Sequence, residues 1–117
     1  MNNKEIKILD CTLRDGGYYN SWDFNRDLVK RYLDSLSSSR IDCIELGFRH
    51  LPSDNFRGPF SYTSDEFLLG LDLPENILYA VMINASEYLE TKKPRKVIKD
   101  YFSLSKDSPV SLVRIAI

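Results

Sequence analysis

The stretch that decides the fold is DCTLRDGG at positions 10–17. It follows Ile6, Ile8 and Leu9, which predict a short buried strand whose apolar character continues to Leu13. Arg14 and Asp15 then come next to each other, and in an extended strand their side chains would point to opposite faces. Both serve one site only if the backbone turns there, and we expect the two following glycines to supply that turn by adopting positive φ. A cationic donor and a carboxylate at the end of a strand suit a divalent metal beside a developing oxyanion.

Length and composition restrict what the chain does. It has 117 residues and a net charge of −1, which gives no electrostatic basis for a nucleic-acid or membrane partner. Cys11 and Cys43 lie in apolar runs and predict buried, reduced thiols of a cytoplasmic protein. The start, Met1–Glu5, lacks the apolar core of a signal peptide, and no apolar run approaches the roughly 20 residues of a membrane span. We therefore expect a cytoplasmic protein.

Strand and helix patterns alternate along the chain. Asp23 or Asn25 is placed to cap a first helix, in which apolar residues recur one turn apart. Thr63 and Glu66 have the spacing of a capping box, and Pro94 suits the first position of a helix. The predicted strands cover positions 6–13, 41–46, 77–83 and 110–117, with Gly47 closing the second, and the helices begin near 25, 63 and 94.

This βαβαβαβ order predicts an α/β protein with a parallel sheet. The pattern fits either a small doubly wound sheet or half of a (β/α)₈ barrel, which needs about 250 residues when complete. The last predicted strand carries Ile115 and Ile117, which would leave an apolar edge of the kind that natural proteins usually cover. We therefore expect the chain to be part of a longer protein.

The string Asp-x-Thr-Leu-Arg-Asp-Gly resembles the first-strand signature of the DRE-TIM metallolyase superfamily, and Ile44–Phe48 is similar to its second-strand motif. That group includes hydroxymethylglutaryl-CoA lyase, 4-hydroxy-2-oxovalerate aldolase, and the isopropylmalate and homocitrate synthases. The resemblance implies that residues 1–117 are the β1-α1-β2-α2-β3-α3-β4 portion, the N-terminal half, of a TIM (β/α)₈ barrel. It also implies a divalent-metal-dependent carbon–carbon lyase or aldolase that acts on a 2-oxo acid or related carbonyl substrate through an enolate.

The resemblance implies roles for three residues near the opening stretch. Asp15 matches the metal-ligand carboxylate, and Arg14 matches the catalytic arginine that stabilises the enolate. Tyr18 stands where the aldolase branch has its basic histidine, so we expect it to act as an acid or hydrogen-bond donor, or to plug the barrel mouth. The His-x-His pair that completes the family's metal site is absent, so the remaining ligands of the Mn²⁺ or Mg²⁺ ion are expected outside this chain. The chain alone is expected to be inactive.

Other polar residues are placed behind this site. Glu45 lies within an apolar strand, where a carboxylate is costly unless paired, and we expect Arg14 or Arg114 as its partner. Arg114 alternates with apolar neighbours, so it would line the pocket and contact substrate. Asp10 and Thr12 are expected to bond locally and set the loop, in support of the site rather than in contact with substrate.

Three further candidates for substrate binding follow strand ends. Arg49 has the donor geometry to bind a substrate carboxylate bidentately. His50 is the single histidine, and such a residue is more often bonded locally than catalytic. Asn84 is placed either to bond substrate or to cap the segment that follows.

Two alternatives to a lyase remain open. The first is a Claisen-type enzyme that condenses an acyl-CoA with a 2-oxo acid. The second is a non-catalytic half-barrel that associates with itself through strand edges at Ile8 and Ile115. The partners expected are accordingly a small-molecule substrate, and either the missing C-terminal half or a second copy.

Overall fold

A four-stranded parallel sheet lies at the centre of the computed structural model, which describes residues 6–117. Its strands are β1 (Leu9–Asp10), β2 (Cys43–Phe48), β3 (Leu78–Asn84) and β4 (Leu112–Ala116). They neighbour one another in chain order, as in a barrel wall, whereas a doubly wound sheet reverses its order. The α/β class and the parallel sheet are thus confirmed, and the topology agrees with half a barrel. Residues 1–5, on which the expectation of no signal peptide rested, lie outside the described residues.

Five helices and three 3₁₀ turns connect the strands in this part of the chain. The helices are α1 (Thr12–Gly16), α2 (Arg26–Ser38), α3 (Asp65–Leu69), α4 (Ala85–Leu89) and α5 (Pro94–Tyr101), and the turns are Gly17–Tyr19, Pro59–Ser61 and Ser105–Asp107. Of the two predicted caps of α2, Asn25 is the one used, since its side chain accepts hydrogen bonds from the amides of Asp27 and Leu28. None of the helices between residues 6 and 117 has the length and apolar character needed to cross a bilayer.

The first strand is shorter than predicted. It ends at Asp10, whose carboxylate accepts a hydrogen bond from the amide of Thr12 at 3.0 Å and so turns the backbone into α1. The predicted turn at positive φ is also wrong, because Gly16 and Gly17 have φ of −68° and −64°. Gly17 is needed for space instead: a Cβ there would lie 1.9 Å from the indole of Trp22.

Two other local predictions need correction. Ser64 caps α3, while Thr63 is buried at a φ of 34° and donates its hydroxyl hydrogen to the carbonyl of Phe48 at 2.6 Å. Gly47 lies inside β2 rather than closing it, at a register shift relative to β3. A Cβ on Gly47 would meet the carbonyl oxygen of Phe60 at 1.9 Å, so the glycine permits close packing of that turn against the strand.

The two faces of the sheet have different character. Ile44 and Val81 belong to a buried apolar cluster with Val29 and Leu33 of α2 and Leu68 of α3. The opposite face carries the charged and aromatic side chains described below. The helices therefore cover one face and leave the other available for a site.

Gly17→Ala is expected to lower the free energy of unfolding by about 1–3 kcal/mol, the usual cost of overpacking a tight contact. Gly16→Ala is the matched control, because the nearest atom to its Cβ would be Cζ of Phe24 at 4.0 Å. Urea unfolding of both variants measures the difference. Equal stability of the two would contradict the packing role of Gly17.

Candidate functional site

Glu45 of β2 is fully buried and is bonded to two arginines. Its Oε1 accepts a hydrogen bond from Nε of Arg14 at 2.8 Å and from Nη2 of Arg114 at 2.8 Å. Its Oε2 accepts from Nε of Arg114 at 2.5 Å, so Arg114 holds the carboxylate with two parallel donors. The pairing of Glu45 predicted from the sequence is therefore present, and with both of the arginines considered.

The ionisation of Glu45 follows from these contacts. Burial by itself would raise the pKa of the carboxyl, but the hydrogen bonds from Arg114 and Arg14 outweigh it and hold the pKa below its usual value. Glu45 is therefore a carboxylate at neutral pH. Its hydrogen bond in turn raises the pKa of Arg114.

Arg14 is positioned from three sides. It lies in α1, its backbone carbonyl accepts a hydrogen bond from Nε1 of Trp22 at 2.9 Å, and Glu45 binds its Nε. Its guanidinium carbon lies 5.8 Å from the centre of the Phe48 ring. Nη1 of the same side chain lies 3.6 Å from Oδ1 of Asp15.

Asp15 is placed differently from its neighbour. Its side chain is 72% exposed, and its Oδ1 lies 3.6 Å from Nη1 of Arg14. An exposed carboxylate can supply one ligand to a hard cation, but Mg²⁺ and similar ions need about six oxygen ligands. Residues 6–117 contain no group of three acidic, histidine or cysteine side chains placed to hold a metal. These residues do not form a complete metal site.

Tyr18 lies beside the same site, in the 3₁₀ turn after α1. Its ring meets the rings of Trp22 and Phe48 edge-on, with centres 4.8 and 6.1 Å away, and 62% of the residue is exposed. The structure thus brings Tyr18 next to the aromatic residues that surround Arg14.

Asp10 and Thr12 are held by local bonds. The hydroxyl of Tyr32 donates to Asp10, which also accepts from the amide of Thr12. Burial, followed by the bond to Asp10, raises the pKa of Tyr32. These contacts join β1 to α2, as a role in setting the loop requires.

Arg49 does not face a substrate, contrary to prediction. It is only 1% exposed, and each of its guanidinium nitrogens already donates within the protein. Nε and Nη2 donate to the carbonyl of Thr63, Nη2 also to Asp65 at 2.9 Å, and Nη1 to the carbonyl of Tyr101 at 3.0 Å. Arg49 follows β2 on the helix side, where it ties α3 and α5 to the sheet, so no pair of donors remains for a substrate carboxylate.

His50 and Asn84 stand at the ends of neighbouring strands. Nδ1 of His50 is 3.0 Å from Oε2 of Glu87. Glu87 lies in α4, a helix that the sequence patterns did not predict. Asn84 occupies the capping position of α4, but its side chain makes no capping bond, so the capping alternative is wrong. Glu87 is the functional candidate that sequence reasoning overlooked, because a five-residue helix has too few turns to show a periodic pattern.

A cavity of about 370 Å³ opens next to His50. The residues that line it are Arg49, His50, Pro52, Ser53, Tyr62, Ser64 and Tyr101. Arg14, Glu45 and Arg114 do not border it. The cavity and the arginine cluster are therefore separate features that approach each other at the end of β2.

One solved structure similar to this chain is the crystal structure of "the N-terminal domain of a putative aldolase from Bacteroides vulgatus". The two share 38% sequence identity with a TM-score of 0.78, over 96% of this chain. This chain spans 36% of the crystallised one. No protein-family model and no curated protein matches the chain. The similarity shows that the chain shares the fold of a part of that domain.

Glu45→Gln is expected to lower the free energy of unfolding at pH 7 by about 3 kcal/mol or more, because it breaks a buried ion pair. The folded-state pKa of Glu45 is lower than its unfolded-state pKa, which is near 4.5. The ionised carboxylate therefore stabilises the fold above pH 4.5, and this stabilisation is lost as the pH falls through the folded-state pKa. The difference in free energy of unfolding between wild type and Glu45→Gln should therefore narrow below pH 4.5. Urea unfolding across this range tests it, with the exposed Glu90→Gln as control. If the difference in free energy of unfolding stays constant with pH, Glu45 is not the ionised, paired carboxylate described here.

Proposed function

We propose that this chain is the N-terminal part of a divalent-metal-dependent carbon–carbon lyase or aldolase of the DRE-TIM metallolyase type. It would act on a 2-oxo acid or a related carbonyl substrate through an enolate. The observation that carries the proposal is the Arg14–Glu45–Arg114 cluster on the open face of the sheet. The similarity to the N-terminal domain of a "putative aldolase" supports the same reaction class.

Arg14 would stabilise the enolate. In a retro-aldol step the carbon–carbon bond breaks and its electron pair passes to the carbonyl of the 2-oxo acid, whose oxygen becomes negative. A guanidinium held in place before the reaction stabilises that charge without reorganising, and such stabilisation is usually the largest single contribution to catalysis. Glu45 and the Trp22–Arg14 bond supply this fixed position. Tyr18, next to Phe48, would donate a hydrogen bond at the same mouth.

Asp15 would contribute one carboxylate to a divalent cation, whose other ligands come from outside this chain. Such a cation supplies Lewis-acid polarisation of the substrate carbonyl. The exposure of Asp15 beside Arg14 supports this role. Residues 1–117 alone would then lack a complete metal site.

Arg114 and Asn84 would bind substrate. The side chain of Arg114 is 39% exposed, and Nη1 is not bonded to Glu45, so it retains donors for a carboxylate. Asn84 is half-buried at the end of β3, with its amide uncommitted to capping. Ile115, 59% exposed on β4, would pack against the remaining barrel strands or against a second copy.

In the protein that contains this chain, Arg14→Lys is expected to lower kcat for cleavage of a 4-hydroxy-2-oxo acid by about 10²–10³-fold, the cost of one oxyanion donor. Asp15→Asn should abolish the stimulation of cleavage by Mn²⁺ or Mg²⁺, and chelation of divalent ions should abolish wild-type cleavage. Pyruvate release measures each rate. Arg31→Lys, an exposed change on α2, is the control.

The proposal fails if the wild-type protein with Mn²⁺ cleaves no such acid, or if Arg14→Lys and Arg31→Lys cleave it equally. Cleavage by residues 1–117 alone that is lost in Asp15→Ala would contradict the incomplete metal site.

A further inference from the structure

The cavity of about 370 Å³ next to His50 has the size of a small-molecule site. It is formed by the segment that follows β2 and by Tyr101 at the end of α5. The Phe48 ring lies between His50 and Arg14, and the arginine cluster does not border the cavity. A ligand in this cavity is therefore not the molecule that reacts at Arg14.

The burial of the lining residues distinguishes the base of the cavity from its rim. His50 and Arg49 are 7% and 1% exposed and form the base. Tyr62 and Tyr101 are more exposed and form the sides. The other three lining residues are exposed at the rim: Pro52, Ser53 and Ser64. A ligand that enters the cavity meets two tyrosines before it reaches His50.

His50 offers a hydrogen-bond acceptor at the base. Its Nδ1 is 3.0 Å from Oε2 of Glu87, and a carboxylate only accepts hydrogen bonds, so the hydrogen lies on Nδ1 and the lone pair on Nε2. Within residues 6–117 Nε2 has no hydrogen-bond partner, and unlike the hydroxyl of Ser61 it is not sealed inside the protein. Because His50 borders the cavity, a donor at the base can reach this lone pair.

The base of the cavity carries no charge that an anion could pair with. The guanidinium of Arg49 is paired with Asp65 at 2.9 Å, and each of its nitrogens already donates within the protein. Burial lowers the pKa of His50 more than the carboxylate of Glu87 raises it, so the imidazole is neutral at pH 7. An anionic ligand would lose its hydration there without gaining a partner. The cavity therefore favours a neutral molecule.

We propose that this cavity is a binding site for a small neutral aromatic molecule that donates a hydroxyl or N–H hydrogen to Nε2 of His50. The aromatic ring packs against Tyr62 and Tyr101, since aromatic side chains prefer such contacts. A polar substituent at the other end of the ligand meets Ser53 and Ser64, whose oxygens each accept one backbone amide and whose hydroxyl hydrogens remain to donate. The inference does not rest on the proposed function.

Three probes test the chemistry of the ligand in the protein that contains this chain: phenol, anisole and benzoate. Phenol carries the donor, anisole lacks it, and benzoate is an anion. At pH 7.5 phenol is expected to bind about 2–10-fold more tightly than anisole, the usual contribution of one hydrogen bond. Benzoate is expected not to displace phenol. Isothermal titration calorimetry measures the dissociation constants, and NMR titration measures the displacement.

Three variants locate the bound probe. His50→Phe keeps a ring against Phe48 but removes the acceptor, so the preference for phenol over anisole is expected to disappear while anisole still binds. Tyr62→Ala changes a side of the cavity without touching His50, and it is expected to weaken both probes by about 5-fold or more. Tyr19→Ala is the matched control, because Tyr19 is 94% exposed and does not border the cavity. It is expected to bind both probes as wild type does.

The inference is overturned if wild type does not bind phenol, binds anisole as tightly as phenol, or releases phenol when benzoate is added. It is also overturned if His50→Phe retains the preference for phenol, or if Tyr62→Ala and Tyr19→Ala bind the probes equally. Each of these results leaves the proposed function untouched, because none of them depends on Arg14 or on cleavage of a substrate.

Discussion

The carboxylate of Glu45 is the constraint on which the rest of the site depends. A fully buried charge costs several kcal/mol unless it is paired and its lone pairs are satisfied, and Glu45 meets that condition with three hydrogen bonds from two guanidinium groups. One arginine comes from α1 and the other from β4, so a single side chain joins the two ends of the described chain through the middle of the sheet. The same bonds orient Arg14 before any substrate arrives.

Close packing around this cluster supplies the rigidity that such a site needs. Trp22 lies against Gly17, binds the carbonyl of Arg14 and meets Phe48 edge-on at 5.5 Å. Phe48 in turn separates Arg14 from His50. The loop after α1 and the end of β2 are thus one aromatic unit, and a displacement of either would move both the arginine and the histidine.

Sequence reasoning succeeded where a physical requirement was local or unavoidable. A carboxylate in a parallel strand must have a partner, which predicted the pairing of Glu45, and the alternation of apolar segments predicted the sheet. It failed where the answer depended on tertiary neighbours. Gly17 was predicted to adopt a positive φ, whereas its role is to leave space for the indole of Trp22. Arg49 was predicted to bind substrate, whereas it connects β2 to α3 and α5. Nothing local marks Glu87, which lies 37 residues beyond His50.

A double-mutant cycle between Glu45 and Arg114 tests the central claim most directly. The free energies of unfolding of Glu45→Gln, Arg114→Met and the double variant are compared with wild type at pH 7. The account predicts a coupling energy of about 1–3 kcal/mol, the range for groups within one hydrogen-bonded network. Additivity within about 0.5 kcal/mol, as for distant and independent sites, would contradict it.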